Sequence, residues 1–538
     1  MTALPSTPNK DSEAYDAIVV GAGFGGLYML HRLRELGLRA HLIERGSGVG
    51  GTWYWNRYPG ARCDVESVEY SYSFSEELQQ EWEWTERFAS QPEILRYLEH
   101  AAERFNLYPD IEFNTSVVAA HFDEIANHWQ VQTDKGAYTA KYCVMATGCL
   151  SSTNIPDFPG LESFQGTTYH TGSWPHEDVD FSGQRVGIIG TGSSSIQATP
   201  VIAEQAEHLY VFQRTPNFSV PQGNAQLAPE KQAAIKADYK GFRATQRALG
   251  FACHHPPRQQ SALEATPAER TEIYEQWWQK GGLSFLGSFN DLITNAESNA
   301  TAAEFIRQKI RDIVTDPEVA EKLCPDHHVG CKRPCADNGY YEAFNRDNVT
   351  LVDVKAAPIE TFTTDGLKTT DDSFKLDSVV FATGFDAMTG TLDKIDIRGI
   401  DGLSLKDKWH AGPRTYLGIA TTGFPNFFII TGPGSPSVLA SMTVGVEHHA
   451  EWISECIDYL EQRDLARIEA TLAAEDAWVK HVNEVADMTL FPTCNSWYLG
   501  ANIPGKPRIF MPYIGGFPVY EAKCREVAAK GYEGFKFA

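Results

Sequence analysis

Two parts of the chain share one order of hydrophobic and polar positions. In the first, an apolar run at 16–20 leads into a glycine-rich turn at 21–26, and leucines then recur at helical spacing over 27–36. A second strand is predicted at 39–43 and ends at Glu44. This order of strand, turn, helix and strand predicts a β-α-β unit whose first turn is rich in glycine.

The same order returns further along the chain. An apolar run at 186–189 is followed by the small residues 190–195, a helix that begins at Ile196 and a second apolar run at 208–212, which leads to Arg214. The two units share this architecture but not a detectable sequence repeat, so a repeat array is not indicated. We therefore predict an α/β protein with two Rossmann-like dinucleotide-binding domains.

The middle of the chain has a different pattern. Residues 223–330 contain several amphipathic helical stretches and no strand pattern, which predicts a helical insertion. Strands are predicted again at 349–354 and 378–381, and helices at 448–461 and 475–485. No low-complexity linker separates these parts, so we expect interleaved domains rather than domains in series.

The glycines of the first turn stand where a dinucleotide site needs them. Gly21 permits the tight turn, Gly23 lets a diphosphate approach the backbone, and Gly26 lets the helix pack against the strand. Glu44 ends the next strand, and a carboxylate there accepts hydrogen bonds from ribose hydroxyls and repels a 2′-phosphate. The first site is therefore expected to hold FAD or NAD rather than NADP.

The second turn departs from this pattern because Ser195 occupies the third glycine position. Serine is small enough to keep helix and strand close, so we still expect a site. Arg214 ends the next strand, where a guanidinium can bind a 2′-phosphate, although it could also be an ordinary surface arginine. The pair of sites predicts FAD together with NADPH, and the small-residue turns at 143–148 and 379–386 are typical of chain that passes close to a dinucleotide.

The charge composition limits the kinds of molecule that the protein is expected to bind. The 538 residues include 46 Lys and Arg against 70 Asp and Glu, a net charge of −24. Such an acidic surface argues against nucleic acid and against an anionic membrane. Residues 1–14 form a polar tail without the pattern of a signal peptide, and no apolar run approaches the roughly 18 residues of a spanning helix, so we expect a cytoplasmic protein.

The ten cysteines are scattered along the chain, and a cytosolic location predicts that their thiols are reduced. One group is dense enough to consider zinc: Cys324, His327, His328, Cys331 and Cys335. It has no second ligand pair at zinc-finger spacing. We therefore predict a loop of unliganded residues and no metal, with zinc as the alternative.

At this point the motifs resemble a known family. Phe164-x-Gly166-x-x-x-His170-x-x-x-Trp174, followed by Pro175, is similar to the fingerprint of type I Baeyer–Villiger monooxygenases. Related flavin monooxygenases that oxidise nitrogen or sulfur carry Tyr or Phe in place of the tryptophan. Further stretches that resemble the family, and its cyclohexanone and cyclopentanone monooxygenases in particular, lie at 50–64, 212–217, 332–334, 381–386, 432–437 and 495–506.

The resemblance implies a reaction. NADPH would reduce FAD, and reduced FAD would take O2 to a C4a-peroxyflavin. This would insert one oxygen next to the carbonyl of a ketone to give an ester or lactone, and cyclic ketones are the expected substrates. The partners would be the ketone, O2 and NADPH. Two alternatives stay open: a nitrogen- or sulfur-oxidising monooxygenase and a catalytically silent dinucleotide-binding regulator. A disulfide reductase is excluded because no CxxC or CxxxxC follows the first glycine-rich turn.

The resemblance also implies residue roles. Arg333 would be the catalytic cation that stabilises the anionic peroxide and the adduct, and Asp64 would orient it, unless Asp64 merely forms a structural ion pair with Arg62 or another neighbour. Trp497 would lie near nicotinamide and substrate, or simply pack. The expected cofactor-binding residues are Gly21, Gly23, Phe24, Gly26, Glu44, Gly51, Thr52, Trp53, Arg62, Asp64, Tyr70, Val117, Gly190, Thr191, Gly192, Ser193, Ser194, Ser195, Arg214, Thr215, Lys332, Met442 and Trp497.

The fingerprint residues are expected to act as a linker between domains. Phe164, Gly166, His170 and Trp174 would couple movement of the NADP-binding domain to the chemistry, and His170 would not be catalytic. The expected domains are an FAD-binding domain at 1–150 and 389–538, an NADP-binding domain at 151–222 and 331–388, and the helical insertion at 223–330.

Overall fold

The structure is a computed structural model that describes residues 13–538. Most of the polar tail predicted for residues 1–14 lies outside the described residues. Its last two residues, Glu13 and Ala14, already belong to the first strand, so the regular structure begins earlier than the sequence indicates.

The strands, numbered along the chain, are β1 Glu13–Val20, β2 Ala40–Ile43, β3 Ile111–Glu112, β4 Val117–Asp123, β5 His128–Thr133, β6 Ala137–Met145, β7 Thr167–His170, β8 Arg185–Ile189, β9 His208–Gln213, β10 Ser219–Pro221, β11 Cys335–Asp337, β12 Val349–Asp353, β13 Ile359–Thr363, β14 Gly366–Thr369, β15 Ser373–Lys375, β16 Ser378–Phe381, β17 Asp396–Arg398, β18 Phe427–Ile429, β19 Ile468–Ala470 and β20 Phe535–Phe537.

The α-helices are α1 Phe24–Glu35, α2 Thr52–Trp55, α3 Glu76–Glu81, α4 Gln91–Arg104, α5 Ser193–Gln205, α6 Pro229–Ala237, α7 Tyr239–Ala248, α8 Pro267–Lys280, α9 Ala296–Ile313, α10 Pro317–Leu323, α11 Tyr340–Ala343, α12 Leu405–Lys408, α13 Met442–Glu461, α14 Leu472–Asp487 and α15 Phe517–Ala529.

The first glycine-rich turn belongs to the larger sheet, whose strand order is β17-β4-β5-β6-β1-β2-β3, with β18 also paired to β6. β1 runs parallel to both β2 and β6, and the register places Val20 beside Ile43 and Met145. The carboxyl ends of these strands therefore meet at one edge. Because β17 and β18 come from the last third of the chain, this sheet combines distant parts of the sequence.

The second glycine-rich turn belongs to a five-stranded sheet of order β12-β9-β8-β16-β7, in which every pair is parallel. Its register aligns Ile189 with Phe212 and Phe381, so the turn after β8 lies beside the segment that follows β16. Parallel sheets of this kind bind ligands at the carboxyl ends of their strands. Both predicted β-α-β units are thus present.

Between β10 and β11 the chain is helical, with α6 to α10 and no strand within residues 223–330. One detail differs from the sequence pattern, which predicts one helix across 225–249. The chain breaks there at Asp238, whose carboxylate accepts a hydrogen bond from the Gly241 N–H at 2.9 Å and caps α7. A side chain that caps a new helix favours this break over continuation of α6.

Three large apolar clusters hold these layers together. One lies between the larger sheet, α1 and α13, a second lies on the opposite face of that sheet, and the third joins the five-stranded sheet to the helical insertion. Within residues 13–538, no helix combines the length and the apolar character needed to cross a membrane.

Candidate active site

Residues of both glycine-rich turns line one cavity of about 1690 Å³. Sites for a single small ligand are roughly 300–1,000 Å³, so this volume suits more than one ligand. Helix α9 of the insertion contributes Asn299, Ala303 and Arg307 to its wall. The insertion therefore borders the same space as the two turns.

The first turn is closed by contacts that only glycine permits. Gly21 has φ +104°, and a Cβ there would lie 2.7 Å from the Ala146 carbonyl oxygen. A Cβ on Gly26 would lie 1.8 Å from the Gly21 carbonyl oxygen. Gly26 does not line the cavity, because its part is to let α1 approach the turn. The backbone at 21–25 is left open to the cavity.

Glu44 is buried at the end of β2 and holds the turn from the other side. Its carboxylate accepts hydrogen bonds from the Ala22 and Gly46 N–H groups, each at 2.7 Å. Each oxygen keeps a further lone pair, and the side chain borders the cavity. Glu44 can therefore brace the turn and still accept a hydrogen bond from a ribose hydroxyl.

The second turn repeats this construction. Gly190 has φ +112°, and a Cβ there would lie 2.4 Å from the Ala382 carbonyl oxygen, just as Gly21 meets Ala146. The small-residue turns predicted at 143–148 and 379–386 are thus the segments that pack against Gly21 and Gly190. Ser195 is fully buried, does not line the cavity and causes no break in α5.

Two cations face the cavity beyond the second turn. Arg214 is exposed, Lys332 is half-buried, and neither joins an ion pair among residues 13–538. Burial lowers the pKa of Lys332, and the positive charges of Arg214 and Lys355 lower it further. Asp326 opposes this lowering in part, and an anion placed between Arg214 and Lys332 would add further negative charge.

Arg333 and Asp64 form a two-pronged ion pair in the cavity wall. Arg333 Nε and Nη2 donate to the Asp64 carboxylate at 2.9 and 3.0 Å, and Nη1 donates to the Val438 carbonyl at 2.6 Å. Burial works against the charge, but Asp64 outweighs it, and the pKa of Arg333 is held well above its usual value. The result is a fixed cation that keeps its proton.

The comparisons with known proteins agree with this geometry. Residues 18–247 match the family model described as pyridine nucleotide-disulphide oxidoreductase. A Baeyer–Villiger monooxygenase from Pseudooceanicola batsensis is 45% identical over 96% of this chain and 95% of its own. A phenazine N-monooxygenase from Lysobacter antibioticus is 43% identical over 98% of each chain.

Solved structures give the same result. An oxidised steroid monooxygenase bound to NADP is 52% identical, with a TM-score of 0.93 over 97% of this chain and 99% of that one. A closed cyclohexanone monooxygenase is 44% identical, with a TM-score of 0.96 over 98% and 99%. This chain belongs to the Baeyer–Villiger monooxygenase family.

Family membership confirms the resemblance found in the motifs, the α/β class with two dinucleotide-binding domains, and the expectation of an NADPH-dependent flavin monooxygenase with FAD. The domain boundaries and the roles of individual residues stay predictions. Of the predicted catalytic and cofactor-binding residues, all but Gly26 and Ser195 line the cavity.

The predicted flavin-site aromatics lie together in this Baeyer–Villiger monooxygenase. The Trp53 Nε1–H donates to the Tyr70 hydroxyl at 3.3 Å, and Phe24 meets the Tyr70 ring edge to face at 5.3 Å. Arg62, in contrast, donates to Glu86 and to the Phe88 carbonyl. Arg62 is therefore not the partner of Asp64, and the alternative of a structural Asp64–Arg62 pair is wrong.

The fingerprint residues do not line the cavity. His170 ends β7, at the edge of the five-stranded sheet, and its Nδ1 accepts from the Gly172 N–H at 2.9 Å. The Trp174 N–H donates to the Trp55 carbonyl at 3.1 Å, which joins this segment to α2. Burial lowers the pKa of His170. These contacts are those of a junction, and a proton-transfer role for His170 gains no support.

One residue beside the ion pair escaped the sequence analysis. The Tyr498 phenol lies next to the Arg333 guanidinium, and burial raises its pKa to about 12 although Arg333 opposes the rise. An arginine has five N–H donors, so a further partner for Arg333 was foreseeable. That this partner is Tyr498 was not foreseeable, because Tyr498 is distant from Arg333 in sequence. The family resemblance drew attention to its neighbour Trp497 instead.

The expectation that all thiols are reduced is wrong for one pair. Cys331 and Cys494 form a disulfide, while the other eight cysteines are free. Compartment arguments from sequence miss this pair because its members are 163 residues apart and meet only in the fold. The predicted zinc candidates divide accordingly: His327 and Cys331 lie together, with Cys494 as their third neighbour.

Proposed function

We propose that this chain uses NADPH and O2 to insert one oxygen atom beside the carbonyl of a cyclic ketone, which gives a lactone. The observation that carries the proposal is the Arg333–Asp64 pair in a cavity shared by two dinucleotide turns. A disulfide reductase would need a CxxC or CxxxxC pair after the first glycine-rich turn, which the sequence lacks, and a regulator would not need a fixed cation in the cavity.

The residues fit both cofactors. The open backbone of the first turn suits a diphosphate, and Glu44 retains lone pairs for a ribose. Arg214 and Lys332, which have no ion-pair partner within residues 13–538, provide two positive charges for a ribose phosphate. When bound, FAD supplies electron transfer from NADPH and the activation of O2.

The chain's own residues create the conditions for oxygen transfer. Asp64 holds the Arg333 guanidinium in one plane, and the Val438 carbonyl fixes its third direction. A fixed positive charge in the wall of the cavity stabilises negative charge that develops on oxygen, and it does so without reorganisation. Since the pKa of Arg333 is raised, the group cannot act as the proton donor.

The proposal of a cyclic ketone rests on the wall beside Arg333 and on the relatives. Val438, Cys149 and Trp497 give this part of the cavity an apolar surface, which suits a hydrocarbon ring with one polar atom. Relatives at 40–42% identity are named cyclohexanone and cyclopentanone monooxygenases.

A second candidate is oxidation of a ring nitrogen, since one relative is named a phenazine N-monooxygenase. Trp174 favours the ketone, because nitrogen- and sulfur-oxidising flavin monooxygenases carry Tyr or Phe in its place. The two candidates separate by product: cyclohexanone should yield its lactone, and phenazine should be recovered unchanged. NADPH consumption that does not respond to any ketone would point to a silent regulator.

The test of the proposal is Arg333→Ala. We expect its bound FAD to be reduced by NADPH as in the unchanged enzyme, while lactone formation falls by about 100- to 1,000-fold, the usual cost of a lost electrostatic stabiliser. Arg333→Lys keeps the charge but loses the two-pronged bond, so it should recover part of the activity.

A matched control is Arg185→Ala. Arg185 also makes a two-pronged pair with an aspartate, Asp377, at 2.8 and 2.9 Å, but lies outside the cavity. Lactone formation should persist in this variant. Lactone formation retained in Arg333→Ala would refute the proposed role.

We also place the enzyme in the cytoplasm. The eight free cysteines and the need for NADPH fit a reducing compartment that supplies this cofactor. Fractionation of the native host with an antibody against the chain would test this, and recovery in the membrane or secreted fraction would contradict it.

A further inference from the structure

The disulfide joins two functional segments of the site. Cys331 immediately precedes Lys332 and Arg333, and Cys494 lies three residues before Trp497. The Cα atoms are 5.9 Å apart, within the roughly 4.4–6.8 Å that a disulfide spans. A covalent bond here therefore ties the segment that carries the charges to the segment that carries the tryptophan.

The second segment, residues 491–506, is called the 491–506 loop below. Its end is tied to the NADP side without covalent bonds: Asn502 Nδ2 donates to the Phe385 carbonyl at 2.8 Å, and Lys506 Nζ donates to Asp386 at 2.5 Å. Most of its start borders the cavity, including Cys494 and Trp497. The loop is thus a wall of the cavity held at its far end by polar contacts.

The start of the loop depends on the cysteine pair. Between residues 327–333 and 491–496 of the described chain, the side-chain hydrogen bond is that of His328 Nδ1 with Thr493 Oγ1, at 3.0 Å, and Thr493 is exposed. Exposed hydrogen bonds add little, since water competes for both groups. Without the disulfide, noncovalent contacts would hold the loop near Arg333, namely those of Tyr498 with Arg333 and of Phe491 and Tyr498 in their apolar cluster. Such contacts open and close reversibly, whereas a covalent bond does not.

We propose that Cys331 and Cys494 are a reversible redox pair that locks the 491–506 loop over the site. The oxidant is hydrogen peroxide. The Cys494 thiolate, which borders the cavity, attacks one peroxide oxygen, so the O–O bond breaks, water leaves after protonation and a sulfenic acid forms. The Cys331 thiol then attacks that sulfur and expels a second water.

The balance closes: two thiols lose two electrons and two protons, and one peroxide becomes two waters. The proposal concerns the proposed active site, because the locked loop is its wall. With FAD bound, turnover in the absence of a ketone would supply hydrogen peroxide beside the pair, so the lock would close when turnover is unproductive. A thiol reductant would open it.

The test uses the FAD-loaded full chain, treated with dithiothreitol or with hydrogen peroxide and then desalted. Alkylation followed by mass spectrometry counts free thiols, and limited proteolysis reports opening of the 491–506 loop. We expect two fewer alkylated cysteines after peroxide, at Cys331 and Cys494, and cleavage within the loop that is about tenfold slower. Both changes should reverse with dithiothreitol.

Variants make the test specific. Cys331→Ser and Cys494→Ser should each abolish the peroxide effect on loop cleavage. Cys324→Ser, which removes a free and half-buried thiol of the neighbouring segment, should behave as the unchanged enzyme. Steady-state kinetics should show a severalfold lower kcat in the oxidised unchanged enzyme only.

Two results would overturn the proposal. One is equal loop cleavage in both redox states. The other is a zinc ion, one per chain, that His327 and the two thiols hold in the reduced enzyme and that protects the thiols from peroxide. Thiol counts and proteolysis need no turnover, so a failure to oxidise any ketone would refute the proposed function and leave this result standing.

Discussion

The two unpaired cations at the cavity make a quantitative prediction about cofactor choice. Replacing Arg214 or Lys332 with alanine should weaken NADPH but leave NADH almost unchanged, because the two cofactors differ only in the 2′-phosphate. Neither cation has an ion-pair partner in the described chain, so no side chain is left uncompensated by the change. Folding should therefore be preserved.

The magnitude follows from the burial of each group. A hydrogen bond to a charged group contributes about 1.5–3 kcal/mol. Arg214 is exposed and screened by water, so about 1–1.5 kcal/mol is expected, or roughly a five- to tenfold loss in kcat/KM for NADPH. Lys332 is half-buried, so about 2–3 kcal/mol, or roughly 30- to 150-fold, is expected.

The double variant should lose less than the product of the two single losses. Arg214 repels Lys332 and lowers its pKa, so removal of either cation relieves the other. The assay is steady-state NADPH and NADH oxidation with a saturating ketone, reported as the ratio of the two kcat/KM values. The control is Lys375→Ala, which removes an exposed cation of β15 that lies outside the cavity and pairs with Asp365.

Equal losses for NADPH and NADH would refute the reasoning, because they would show that the two cations act on parts common to both cofactors. Unchanged kinetics in both single variants would refute it as well. A change in Lys375→Ala of similar size would mean that overall charge, and not a local phosphate site, governs the preference.

Two further predictions concern stability and cofactor retention. His449 Nδ1 accepts from the Thr431 N–H at 2.9 Å, and burial lowers its pKa to about 3 from 6.5, so stability is complete above pH 6.5 and is lost as pH falls towards 3. At about pH 5 this lowers the free energy of unfolding by about 2 kcal/mol. In urea unfolding, the fall in this free energy between pH 7.5 and 5 should be about 2 kcal/mol smaller for His449→Gln than for the unchanged enzyme, and an equal fall in both would contradict the prediction. Gly26→Ala would place a Cβ 1.8 Å from the Gly21 carbonyl oxygen, so this variant should purify without FAD. Gly136→Ala, where a Cβ meets open space, should retain FAD, and retention of FAD by both variants would contradict the prediction.

Local rules allowed the sequence to determine the two β-α-β units. Gly21 and Gly190 have a positive φ, and all three of Gly21, Gly26 and Gly190 meet a backbone oxygen closer than a Cβ permits. Such positions require glycine, so the glycine pattern itself indicates the turn geometry. The end of the next strand is also a local position, which is why Glu44 and Arg214 could be assigned to the cavity.

The helical middle was predicted for the same reason, since periodicity is a local property. The break at Asp238 was not predicted. An aspartate can lie within a helix or cap a new one, and the hydrogen bond of its side chain, here with the Gly241 N–H, decides between the two. Arg333 and Asp64 were paired through family resemblance, as 269 residues separate them and no spacing rule connects them.

Only the tertiary structure decided the contacts between segments that are far apart in the sequence. The Tyr498 phenol beside Arg333, Arg62 bound to Glu86 rather than to Asp64, and Cys331 bonded to Cys494 all depend on how separate strands and loops meet. The sequence determines conformation through neighbours along the chain. Pairing across the fold depends on the summed packing of two sheets and an insertion, which no single stretch of residues records.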